Sequence, residues 1–147
     1  MGNITFGIMI AGCAIYIQLG LTGTVDKNII VPAILIAMIN TSYALLTDFK
    51  DVIGDKAAGV KSLAATLSPH KAARFIPLVI ALPFLGLNAY AAHNSAGNAC
   101  FSLSLCSLAS FVYAGAIIWL KPLKTAEKYL IWLLAGVVFY QLSLIYL

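Results

Sequence analysis

From Phe75 to Leu120 the chain passes without one Asp, Glu, Lys or Arg, and residues 1–25 and 28–47 are equally free of them. Runs of that length have few places to go. A helix needs about 20 mostly apolar residues to cross a bilayer, and five stretches qualify: 4–24, 29–47, 75–92, 99–120 and 129–147. The composition agrees. Apolar residues make up 62% of the 147, charged residues 10%, and mean hydropathy is +0.97. A soluble domain carries about 45–50% apolar and 25% charged residues. The expectation is an all-α, polytopic transmembrane bundle of about five spans, a single domain over 1–147. Its one long polar connection is 48–74, and no internal repeat is visible.

Several features exclude other classes. The opening MGNITFGIMIAG has no basic n-region and runs on to full span length, so it reads as a span and not a cleaved signal. Phe6 stands where myristoylation wants Ser or Thr. Asn3-Ile4-Thr5 and Asn40-Thr41-Ser42 match a glycosylation pattern, but one lies within an apolar run and the other on the expected cytoplasmic side. Cys13, Cys100 and Cys106 fall inside spans without CxxC spacing and read as small buried hydrophobes. His70 and His93 are isolated, so zinc chemistry is not indicated. The basic excess is accounted for by topology and does not imply nucleic acid.

With five spans the joints alternate between two faces. One face receives Lys50, Lys56, Lys61, Lys71, Arg74, Lys121, Lys124 and Lys128, whereas the other receives Lys27 alone. The positive-inside rule sets the eight in the cytoplasm. The N-terminus and residues 48–74 are then cytoplasmic, and the C-terminus lies opposite.

Three of the five acids are Asp48, Asp51 and Asp55. If the second span continues as helix, with no breaker before Gly54, they occupy i, i+3 and i+7, within a sector of about 60°. Three carboxylates on one face repel, so a cation among them is indicated. Magnesium suits an all-oxygen set and uses one or two carboxylates plus phosphate and water. Transition metals would bring His or Cys, and the EF-hand alternation is absent. Gly54 and Gly59 punctuate the helix exit, and Lys56 and Lys61 can add positive charge to a diphosphate. The plain alternative stays open: a solvated helix end whose aspartates pair with nearby lysines.

The string DFKDVIGDKAAGVKSLA, residues 48–64, resembles the second aspartate-rich motif of the UbiA superfamily of intramembrane prenyltransferases. The family's DxxxD falls on Asp51 and Asp55, Asp48 matches the acid before it, and Lys61-Ser62-Leu63 matches the basic residue and turn. The resemblance implies nine helices around a cavity, with two aspartate motifs holding Mg2+ on one prenyl diphosphate. It also implies metal-assisted departure of diphosphate and alkylation of an aromatic or other lipophilic acceptor. Tyr43, Phe49 and Tyr113 are candidate cavity aromatics that could face an allylic cation.

The resemblance covers the second half of that fold, helices five to nine. The first motif, N-D-x-x-D-x-x-x-D, and the Y-x-x-x-K segment are absent; Asp26 and Glu127 are solitary. The chain then looks like a C-terminal half, from a split or truncated gene or as part of a longer chain. It would work with an N-terminal half or as a homo-oligomer. Two other classes compete: a non-catalytic membrane assembly partner, and a small-solute transporter. The transporter is disfavoured because its acids lie at a helix end and not mid-span.

Overall fold

The computed structural model consists of five long helices: α1 (Gly2–Thr22), α2 (Ile30–Ala57), α3 (Pro69–His93), α4 (Asn98–Leu120) and α5 (Ala126–Ile145). A 3-10 turn, Lys27–Ile29, precedes α2. The structure describes residues 2–61, 66, 69–120 and 126–147, excluding the side chains of 49–51, 53, 54, 69–74, 119 and 126–128. Among the described residues there is no strand, and the all-α expectation holds. Apolar stretches long enough to cross a bilayer occupy Gly2–Thr22, Lys27–Asp48, Phe75–His93 and Asn98–Ile118, with a shorter one at Tyr129–Ile145. The 20 residues of α5 still extend about 30 Å, the thickness of the hydrocarbon.

Neighbouring helices run antiparallel. Asn3 bonds Asp48, and Gly7 lies against Ala37 and Thr41, so α1 and α2 are opposed in direction. Ser42 meets Val79 and Leu35 meets Gly86 across α2 and α3. Gly115 lies beside Ile76 and Ile80, and Gly136 beneath the Phe111 ring. Small residues at these crossings let backbones approach, which is how helices associate where lipid is as apolar as leucine. A Cβ on Gly7 would run into the Thr41 hydroxyl and the Ala37 carbonyl, and one on Gly136 would run into Phe111.

The core is formed by α2, α3, α4 and α5. Leu35, Ile39, Leu46, Phe84, Leu87, Phe111, Leu133 and Tyr140 are buried within it. Phe84 packs edge-on against Phe111 and Tyr140, with centroids 5.8 and 5.4 Å apart. Several buried polar side chains find backbone partners, as an apolar medium demands. Tyr140 donates to the Pro83 carbonyl at 2.8 Å, Ser107 to Gly136 at 2.5 Å, and Asn40 to Ile36 at 2.8 Å.

One bond repairs a defect. Pro83, inside α3, has no N–H, so the Val79 carbonyl four residues earlier loses its helical donor. The Ser42 hydroxyl on α2 lies 2.8 Å from that oxygen and 3.0 Å from its own Met38 carbonyl.

Candidate metal and diphosphate site

Helix α2 runs on past its apolar span, carrying Asp48, Asp51 and Asp55 as one continuous helix to Ala57. The expectation that Gly54 helps to end this helix is corrected: Gly54 lies inside it. A single glycine costs a helix only about 1 kcal/mol relative to alanine, and the stop lies further on. Gly59 adopts φ +68°, its N–H reaches the Lys56 carbonyl at 3.3 Å, and Val60 N–H reaches the Asp55 carbonyl at 2.8 Å. That pair of bonds is a Schellman cap, whose left-handed residue favours glycine.

The helical register keeps the three aspartates on one side of α2. Asp48 and Asp55 are both half-buried, and Lys56 and Lys61 are exposed. Seven residues of helix separate Asp48 from Asp55 by about 10.5 Å along the axis. Magnesium holds its ligands at about 2.0–2.1 Å, so one ion could not be held by both of these carboxylates. Asp51 occupies the intervening turn; its side chain, with that of Phe49, lies outside the described residues. Among the described residues no three His, Cys, Asp or Glu side chains gather as a metal cluster. The donor set nonetheless fits magnesium, which takes one or two carboxylates and leaves the remainder of its shell to phosphate and water.

Sequence reasoning missed one residue here. Asn3, in the first turn of α1, donates its side-chain amide to Asp48 Oδ2 at 2.7 Å. The signal was an amide placed at the start of an otherwise apolar span, which a glycosylation pattern obscured.

One turn before Asp48 the surface turns apolar. Ile4, Ile8, Ile34, Ala37, Met38, Thr41, Ser42, Leu45, Val79, Leu82 and Pro83 line a groove of about 340 Å³ between α1, α2 and α3. Leu45 is one helical turn from Asp48. The candidate aromatics are distributed differently. Tyr43 is partly buried against the core, one and a half turns before Asp48. Tyr113 is half exposed on α4, its ring edge-on to Trp132 of α5 at 5.0 Å. The structure sets Asp48 one turn past the groove on α2 and Asp55 two turns further along, and sets Tyr113 on the α4–α5 pair.

A model of the UbiA prenyltransferase family matches residues 1–143. The chain belongs to the UbiA prenyltransferase family. Among curated proteins and among solved structures nothing matches it. Family membership and the apolar helices together make it a multi-pass membrane protein of prenyltransferase type. The resemblance carried by residues 48–64 thus extends over nearly the whole chain.

Proposed function

We propose that this chain is the C-terminal half of a membrane prenyltransferase, transferring a prenyl group from a prenyl diphosphate to an aromatic or other lipophilic acceptor. One observation carries this reading: the half-buried Asp48 lies one turn past an apolar groove on the same helix, with Asp55 two turns further along. A ligand with a charged head and an oily tail matches that surface. The groove's volume falls within the usual range for small-molecule sites, about 300–1,000 Å³.

Asp48, Asp51 and Asp55 would hold Mg2+, with the Asp51–Asp55 pair one turn apart and Asp48 at the near end of the groove. When bound, the metal offsets the charge that grows on the departing diphosphate. Lys56 and Lys61 would add positive charge on the same side. The groove would take the prenyl tail, keep water from it, and point the allylic carbon toward the acceptor. In the reaction the C–O bond to diphosphate breaks with its electron pair leaving on oxygen. The acceptor then forms the new bond to the allylic carbon and loses a proton. Tyr43 and Phe49, like Tyr113, are assigned only as possible walls of the assembled cavity.

The chain bears one aspartate motif, so it would supply part of the metal shell and require an N-terminal half, or a second copy, to complete the cavity. It should bind prenyl diphosphate in a Mg2+-dependent manner and show no transfer alone. Co-expression with a half bearing N-D-x-x-D-x-x-x-D should restore turnover. Asp51→Ala and Asp55→Ala should each weaken Mg2+-dependent binding of labelled farnesyl diphosphate much more than Asp26→Ala. Equal affinity in all four proteins would return the motif to a solvated helix end and leave an assembly partner as the better reading.

The residue 48–74 segment and 121–128 would be cytoplasmic on the eight-to-one charge bias. In a cysteine-free background, Ser68→Cys and Thr125→Cys should resist an impermeant thiol reagent in intact cells and react after permeabilisation. Labelling of Ser68→Cys in intact cells would reverse the orientation.

A further inference from the structure

We infer that Asn3 is a positioning residue for Asp48, fixing that carboxylate for a divalent cation; the inference rests on the reading of α2 as a metal and diphosphate site. The two residues are 45 positions apart in sequence and 2.7 Å apart in the fold. That distance is at the short end for N–H···O and typical of a bond to an ionised carboxylate. The amide holds Oδ2 and restricts the rotamers open to the carboxylate, so that the group stands in one place for a cation to meet.

The choice of an amide is chemically specific. A lysine or arginine here would neutralise Asp48 and repel a divalent ion. Asparagine orients the carboxylate without opposing the cation, the role that outer partners of metal ligands commonly play. Its own placement is set by a second contact. One turn along α1, Gly7 lies flush against Ala37 and Thr41 of α2, a spacing that no larger residue permits. Helix α1 therefore brings its first turn to the level of Asp48 by close backbone approach, and Asn3 delivers the donor.

The test uses the full chain in detergent, with two readouts: Mn2+ binding by electron paramagnetic resonance without diphosphate, and Mg2+-dependent binding of labelled farnesyl diphosphate. Asn3→Leu should raise the half-saturating metal concentration about tenfold, the low end for a charge-assisted bond at a half-exposed position. Binding capacity at saturating metal and the melting temperature should stay as in the unmodified chain. Asn3→Gln, which keeps the donor, should return the metal requirement to within about threefold. An unchanged metal requirement in Asn3→Leu would overturn the inference. So would a loss of capacity at saturating metal with a lowered melting temperature, which is the mark of a merely structural residue. If the unmodified chain bound no farnesyl diphosphate with Mg2+, the parent reading would fall; the Mn2+ titration would still decide the role of Asn3.

Discussion

The two hairpins at the ends of this chain solve the same packing problem with opposite results. In the α4–α5 pair, Gly136 slides under the Phe111 ring, Ser107 ties to the Gly136 carbonyl, and both helices contribute buried aromatics to the core. In the α1–α2 pair, Gly7 allows an equally close approach, yet Ile8, Met9, Tyr16, Ile17 and Leu21 remain exposed along α1. About 11% of the α1 span is buried, against 39% for α4. One pair is woven into the bundle. The other enters it through α2 alone, with α1 clipped to α2 at Gly7 and Asn3, beside Asp48. The proposed chemistry thus lies where a core helix, α2, meets a lightly covered one, α1.

The sharpest way to break this contrast is to enlarge one glycine on α5 and one on α1. Gly136→Leu should cost about 3 kcal/mol, because Phe111 cannot withdraw from a filled core. Denaturation by SDS, followed by helical circular dichroism, should show a large fall in midpoint. Gly12→Leu, at a position with open space on α1, should shift it by no more than about 0.5 kcal/mol. Comparable losses at both positions would mean that α1 is as integral as α5.

Gly7→Leu should come next, at about 2 kcal/mol. Its mark should be local: α1 moves off α2, Asn3 leaves Asp48, and the metal requirement rises as in Asn3→Leu. A fall in midpoint with no change in metal requirement would detach the Gly7 contact from the site.

Ser42→Ala should cost about 1 kcal/mol, within the range measured for hydrogen bonds between helices in membranes. Removing the hydroxyl strands the Val79 carbonyl that Pro83 has already deprived of its donor. The same SDS titration would detect it, and a neutral result would mean that the carbonyl finds another partner.

The smallest expected effect is a gain. Ser95 holds a positive φ of 54° where α3 ends, with Ala96 N–H bonded to the Ala91 carbonyl at 2.9 Å. Glycine relieves that backbone cost at the price of a more flexible unfolded chain, so Ser95→Gly should stabilise by about 0.5 kcal/mol. A lowered midpoint would mean that the serine hydroxyl contributes more than the strain it accepts.

These contrasts also explain what the sequence could disclose. The spans were legible because hydropathy acts over twenty residues at a time: α1, α4 and α5 begin and end within a few positions of their apolar runs, whereas α2 and α3 extend beyond theirs on the 48–74 side. The common face of Asp48, Asp51 and Asp55 was legible because helical periodicity is local. The true end of α2 was not, since glycine punctuates a helix only where its backbone turns left-handed. Gly59 does so, and Gly54 lies within α2. The bond from Asn3 to Asp48 was hidden for another reason: it depends on how two helices cross, which no single segment encodes. Ser42 was hidden in the same way, as an apparently incidental hydroxyl in an apolar run.

That hydroxyl has a consequence beyond its own bond. Greasy helices in lipid have little to count by, since a cylinder of leucine and isoleucine slid one turn along its neighbour meets much the same surface. The proline in α3 puts a notch in such a cylinder, a carbonyl that wants a donor at one height only. Ser42 is the pin that drops into it. A shift by one turn, about 5.4 Å, would leave notch and pin apart in a medium with no water to serve either. The defect at Pro83 therefore works as a vernier mark, setting where α3 stops against α2 and hence how deep the groove floor lies beneath Asp48.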